Sequence, residues 1–221
     1  MMVNKVLVTG ANRGIGLELC RQLSARGDEV IAVCRKSTAE LESLDLRVIE
    51  GIDVGASRSV EALKQQLGSE RLDWLINNAG ILSVESLDSL DFDAMERQFR
   101  VNALGPLRIT AALLPSLGPG SRVGIITSRM GSVGDNTSGG YYGYRMSKAA
   151  VNMAGVSLAR DLQEKQIAVA LLHPGMVSTD MTGGRGVPVE QSAHGLIQRM
   201  DSLDMSHTGT FWHAEGQLLP W

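Results

Sequence analysis

Thr9-Gly10-Ala11-Asn12-Arg13-Gly14-Ile15-Gly16 decides how this chain is read. It follows a short strand-like run, Val3-Asn4-Lys5-Val6-Leu7-Val8, and opens an amphipathic helical stretch over 15–26 that Gly27 stops. A strand that turns through glycines straight into a helix has a particular use. The glycines let the turn be tight and let backbone approach a pyrophosphate, while the helix start offers free N–H groups and a positive dipole end. The spacing is Gly-x-x-x-Gly-x-Gly, not the Gly-x-Gly-x-x-Gly fingerprint. The strand–turn–helix context therefore carries the expectation of a dinucleotide site on Gly10, Asn12, Arg13, Gly14, Ile15 and Gly16.

Outward from this turn, short apolar runs alternate with longer amphipathic ones. Strands are expected over 29–34, 46–49, 72–76, 122–126 and 167–172, with a last one over 209–212. Helices are expected over 57–67, 92 to about 114, 142–164 and 189–200, with Pro106 marking a kink or break in the long one. Strand–helix alternation with continuously apolar strands implies a parallel sheet covered on both faces. The fold class is thus α/β: a single Rossmann-type, doubly wound parallel sheet of about seven strands, one domain over 1–221.

The chain has 221 residues, 43% apolar and 20% charged, enough for one large core. A net charge of −3 argues against a nucleic-acid partner. Two cysteines, Cys20 and Cys34, make no disulfide framework and fit a reducing compartment. The histidines, His173, His194, His207 and His213, have no metal-ligand spacing, so no metal is expected and they read as structural or surface residues. No apolar run approaches the ~20 residues of a membrane span. With a strand starting at Val3, no leader is expected, and the protein reads as soluble and cytoplasmic.

The tip of the second strand discriminates between nicotinamide cofactors. An acidic residue there would bind the ribose hydroxyls of NAD. Here it is Cys34-Arg35-Lys36, and Arg13 stands in the glycine turn. These cations suit a 2′-phosphate, so NADP(H) is expected. Farther on, Tyr144 and Lys148 lie four apart, on one helix face, where an ammonium can lower a phenol's pKa. Tyr141 and Arg145 have the same spacing, but arginine suits fixed ion pairing.

Taken in order, these motifs resemble those of the classical short-chain dehydrogenases/reductases along nearly the whole chain. The turn 9–16 matches T-G-x-x-x-G-x-G. Asp53-Val54 resembles the adenine-contacting aspartate step, and Asn77-Asn78-Ala79-Gly80 matches N-N-A-G. Asn102 resembles the helix asparagine of the catalytic tetrad, Tyr144 and Lys148 match Y-x-x-x-K, and Pro174-Gly175-Met176-Val177-Ser178-Thr179 resembles P-G-x-x-x-T. The segment 135–142 and the ending from Gly209 resemble the branch of C-factor-like proteins and sniffer-type carbonyl reductases.

The resemblance implies NADPH-dependent reduction of an aldehyde or ketone. Tyr144 would be the general acid and Ser128 would orient the carbonyl oxygen. Lys148 would bind the nicotinamide ribose, and Asn102 would hold a relay water. Asn78, Ala79 and Gly80 would line the cofactor's path; Pro174, Gly175, Val177 and Thr179 would meet the nicotinamide end. The position thirteen before the tyrosine, serine in many members, is Gly131, flanked by Ser128 and Ser132. Ser128 is favoured because it ends a strand. A short glycine-rich segment after Thr179 implies an open substrate site, with Met130, Met176 and Met181 as soft walls. A homodimer or homotetramer is implied through the helices starting near Phe92 and Tyr142, though their apolar faces equally suit the sheet. The rival readings are a C-factor-type signalling protein with little turnover and an NAD-linked alcohol dehydrogenase.

Overall fold

Side chains of the central strands alternate between two cores. The computed structural model describes residues 3–221. In β1 (Lys5–Thr9), Val6 and Val8 enter one core and Leu7 the other; in β2 (Glu29–Val33), Val30 and Ala32 part from Ile31 and Val33 in the same way. This period-two alternation, apolar on both sides, is what a sheet covered on both faces requires. Each such buried Val, Leu or Ile contributes about 1.5–3 kcal/mol relative to exposure.

The other strands are β3 (Arg47–Ile49), β4 (Trp74–Asn77), β5 (Arg122–Ile126), β6 (Ala168–His173) and β7 (Thr210–His213). Together they form one seven-stranded sheet in the order β3-β2-β1-β4-β5-β6-β7, every pair parallel. Leu7 lies opposite Ile31 on one side and Leu75 on the other. The chain winds outward from β1 to β3, returns to β4 beside β1, and winds the other way. Connections therefore diverge above the carboxyl ends of β1 and β4, the switch point where such sheets bind ligands. Helices α1 (Gly14–Arg26) and α7 (Val189–Ser202) cover one face, with the short α2 (Ala39–Glu42) beside them. The other face is covered by α3 (Ser57–Leu67), α5 (Leu104–Leu113) and α6 (Tyr142–Asp161). Among the described residues, no helix is long and apolar enough to cross a membrane.

The expected class and sheet are observed; some boundaries differ for local reasons. β1 begins at Lys5, not Val3, because the Asn4 N–H donates to the Asp28 carboxylate at 3.0 Å. The four-residue α2, capped by Thr38, is too short to leave a periodic signal. The long helix expected from Phe92 breaks into α4 (Phe92–Gln98), a π-helical turn over Phe99–Ala103, and α5. The break precedes Pro106, which sits in the first turn of α5 where a missing N–H is tolerated. Without that N–H, the Asn102 carbonyl four residues back has no helical donor, so the ladder slips there.

Candidate active site

The glycine turn is shaped by what surrounds it. Gly10 has φ +66°, and a Cβ there would fall 2.8 Å from Ala79 Cα. A Cβ on Gly16 would fall 2.2 Å from the Gly10 carbonyl oxygen and 2.5 Å from Asn78 Nδ2. Thr9 Oγ1 accepts from the N–H groups of Asn78 and Ala79 at 3.0 and 3.2 Å; Asn78 Nδ2 donates to the Thr9 and Gly10 carbonyls at 3.0 and 3.2 Å. The turn after β1 and the segment after β4 are thus tied into one floor. At the start of α1, Arg13 is extended and makes no side-chain cap bond among the described residues. The first helical N–H groups are left for an anion.

That floor lies under a cleft of about 620 Å³. Its walls include Gly10, Asn12, Arg13, Gly14, Ile15, Arg35, Asp53, Val54, Asn78, Ala79, Gly80, Tyr144, Lys148, Pro174 and Thr179, which the sequence had singled out. Gly16, Gly175 and Val177 stand behind the wall. Gly16 lets α1 pack on the turn; Gly175 turns at φ +87°; Val177 is buried, its carbonyl accepting from Thr182 Oγ1 at 2.6 Å. At the end beside the β2 tip, Asn12 Nδ2 donates to the Lys36 carbonyl at 3.0 Å, fastening the glycine turn to the basic loop after β2. Asp53 Oδ1 accepts from the Gly55 N–H at 2.8 Å. Arg13 reaches across the mouth to Asp180 at 3.5 Å. The cradle that a Cβ would fill, the uncapped helix start and the cations at the β2 tip fit a phosphorylated dinucleotide.

At the other end stand Tyr144 and Lys148, both buried, on one face of α6. Lys148 Nζ donates to the Ile126 carbonyl at 2.9 Å and lies 5.6 Å from the centre of the Tyr144 ring. Burial pulls the Lys148 ammonium down to about 8. Burial also pushes the Tyr144 phenol up to about 12, opposed by the neighbouring Ser128 hydroxyl. The sequence expectation was that the lysine lowers the phenol's pKa. Here desolvation is the largest influence on the phenol, so it keeps its proton at neutral pH. A protonated phenol is a ready proton donor.

The two serines occupy different surroundings. Ser128 lies beside the Tyr144 phenol, where it favours the ionised form, and its Oγ accepts from the Met130 N–H at 3.1 Å. Ser132 is buried and accepts from the Asp135 N–H at 3.1 Å, a turn contact. Position 131 holds glycine because α6 presses on it: a Cβ there would fall 2.6 Å from the Lys148 backbone carbon. Asn102 is held by the π-helical turn with its amide committed to protein. Oδ1 accepts from the Ile81 N–H at 2.8 Å; Nδ2 donates to the Ile81 carbonyl at 2.8 Å and to Ser147 Oγ at 3.0 Å. Its side chain anchors the loop after β4 to α6.

Arg145 spends its guanidinium on the carbonyls of Gly139, Gly140 and Met130 and on Ser138 Oγ, so the Tyr141–Arg145 spacing is a loop fastener. Of the three methionines, Met181 lines the cleft, whereas Met130 and Met176 do not. Sequence reasoning passed over Ile81, Leu82 and Asp180, which line it too. Nothing in their types announces them; they arrive through loop paths.

Residues 4–187 match the family model for short chain dehydrogenase. The chain is 45% identical over 226 residues to the 1-hydroxy-2-glutathionyl-2-methyl-3-butene dehydrogenase of Rhodococcus sp. (strain AD45), covering 99% of this chain and all of that protein. It is 47% identical over 154 residues to the C-signal protein of Myxococcus xanthus, covering 68% of this chain and 93% of that one. NADPH-bound carbonyl reductase from chicken fatty liver superposes with a TM-score of 0.90 at 31% identity, over the full length of both chains. The parallel sheet with its glycine turn at the switch point, and the match over most of the chain, agree: this protein belongs to the short-chain dehydrogenase family.

Proposed function

We propose that this chain is an NADPH-dependent oxidoreductase that reduces a small-molecule aldehyde or ketone to an alcohol, working as a single domain over 1–221. The observation that carries this reading is that Tyr144 and Lys148 line the same cleft as the glycine turn. Bound reduced nicotinamide supplies hydride. Tyr144 donates its phenolic proton to the carbonyl oxygen as that oxygen gains charge. Ser128, beside the same phenol, holds the oxygen in line. Lys148, charged below about pH 8, supports the phenolate that remains. Thr179 and Pro174 flank the nicotinamide end, and Gly10–Gly16 carry the pyrophosphate.

Screening aldehydes and diketones with NADPH tests the assignment. In that assay Ser128→Ala is expected to lower kcat about 10²-fold, whereas Ser132→Ala stays within a few-fold of wild type. Equal losses in the two variants would overturn the choice of serine. The cofactor preference rests on Arg13 and Arg35, with the bound NADPH of the chicken enzyme in support. Arg35→Ala is expected to weaken NADPH about 10- to 100-fold and leave NADH unchanged, as for loss of a charge-assisted phosphate contact. Fluorescence titration with both cofactors reads this directly, and a wild-type preference for NADH would refute it.

The second reading, a cofactor-binding signalling protein, is favoured by the identity to C-signal. It predicts tight NADPH binding with no turnover on any panel member. Because the Rhodococcus relative is named as a dehydrogenase of a glutathionyl alcohol, the panel includes thioether alcohols run in the oxidative direction.

A further inference from the structure

Helix α6 carries the proposed proton donor on its first turn, yet its own sequence does not cap it. Among the described residues, Tyr141 at the N-cap makes no side-chain cap bond and the first turn holds no acidic residue. Tyr141 is also left-handed, at φ +53°, a conformation that is strained for a bulky residue. A helix start in this state has orphan N–H groups and a position that its local sequence does not define.

The missing cap comes from Glu85, in the loop after β4. Its carboxylate is buried, and Oε2 accepts from the Gly143 N–H at 3.2 Å across 58 residues of sequence. Its backbone carbonyl accepts from the Tyr141 N–H at 3.0 Å. One residue therefore holds the strained N-cap and the helical residue directly before Tyr144. The other carboxylate oxygen is held by Ser83 Oγ and by Gln98 Nε2, the latter at 2.8 Å. Gln98 Oε1 accepts in turn from the Ser83 N–H at 3.1 Å. Gly143 fits only as glycine, since a Cβ would fall 2.4 Å from Gln98 Nε2. A buried carboxylate at a helix N-terminus is favourably placed against the dipole. It is also charge-assisted in every bond it accepts.

The loop that bears Glu85 is the one whose Ile81 and Leu82 line the cleft and whose Ile81 is gripped by Asn102. Tyr144 is thus bracketed. On one side Glu85 fixes Gly143; on the other, Ser147 Oγ donates to the Tyr144 carbonyl at 2.8 Å and accepts from Asn102.

We propose that Glu85 is a positioning residue of this active site: it caps α6 in trans and thereby sets where the Tyr144 phenol meets the Ser128 hydroxyl. The inference rests on Tyr144 as proton donor. Glu85 touches neither substrate nor cofactor; it acts through the first turn of α6. Removing the cap lets that turn move, and a shift of about 1 Å at a reacting group costs up to about 10²-fold in rate.

The test is Glu85→Ala, Glu85→Asp and Glu85→Gln in steady-state NADPH-dependent reduction, with amide hydrogen exchange over 142–148. Glu85→Ala is expected to lower kcat about 10- to 100-fold while the KM for NADPH moves less than about threefold. Glu85→Asp, which keeps the charge but is too short to reach, is expected to fall nearly as far. Glu85→Gln, which keeps one acceptor of the right length for the Gly143 N–H but sets its NH2 toward Ser83 and Gln98, is expected to recover part of kcat and to stand well above the aspartate variant. Exchange at Gly143 should speed up in the alanine and aspartate variants and much less in the glutamine one. If kcat for Glu85→Asp stays within twofold of wild type, or KM for NADPH rises in step with the loss of kcat, the proposal is overturned. If Glu85→Ala does not fold, the aspartate–glutamine pair decides alone. The exchange readout needs no turnover: a wild-type protein that reduces nothing defeats the reductase reading, while unchanged Gly143 exchange in Glu85→Asp defeats this one.

Discussion

Replacing Tyr144 with Phe is expected to lower kcat/KM for carbonyl reduction about 10²- to 10⁴-fold and to leave NADPH affinity nearly unchanged. The ring is buried and packs as before in the variant, so the fold is retained. Only the hydroxyl, which lies beside Ser128, is lost. Because burial holds that phenol's pKa near 12, it is protonated throughout the neutral range and its proton is available at each turnover. Without it the developing alkoxide must take a proton from water. Steady-state kinetics beside a cofactor titration separates the two quantities. Activity within a few-fold of wild type would remove Tyr144 as the acid.

Lys148→Met is expected to make a protein that is less active and more stable. The folded state lowers the lysine from 10.5 to about 8, so carrying its charge at neutral pH costs roughly 3 kcal/mol relative to the unfolded chain. Methionine fills nearly the same space without charge. It forfeits the bond to the Ile126 carbonyl, which offsets about 1–2 kcal/mol of the gain. The net expectation is about 1–2 kcal/mol more stable without cofactor, with reduction slowed about 10²-fold or more.

The pH dependence has a definite sign. Between about pH 8 and 10.5 the unfolded chain holds more of this proton than the folded one, so this group makes wild-type stability rise with pH across that window. Below pH 8 the penalty is present in full. The stability gap between Lys148→Met and wild type is therefore widest at neutral pH and narrows as pH rises toward the upper limit. Urea unfolding of both proteins at neutral pH and at about pH 9.5 reads the gap. A variant less stable than wild type at neutral pH, or a gap that widens with pH, would contradict the burial argument.

Most of the cleft wall was legible because its signals are local. Gly10, Gly14 and Gly16 must pass a turn too tight for side chains, and the strand-to-helix context lies within a few residues of them. Asn78 was visible as a motif, although its work, bonding the carbonyls of Thr9 and Gly10, spans the gap between two strands. The break at Phe99–Ala103 was expected near Pro106 and lies a turn earlier, because proline acts on the carbonyl four residues before it.

Residue order was enough for the α/β class, the parallel sheet, the glycine cradle and the shared helix face of Tyr144 and Lys148. Each follows from spacing along one stretch of backbone: period two in strands, i to i+4 in a helix, glycine where a Cβ has no room. Tertiary structure alone decided the rest. It separated Ser128 from Ser132 by setting only the first against the phenol. It committed the Asn102 amide to Ile81 and Ser147, and brought Glu85 to the start of α6 from far along the chain. It also set the burial that raises the Tyr144 phenol's pKa, because a pKa follows burial and neighbours in space, and neither can be read from the order of residues.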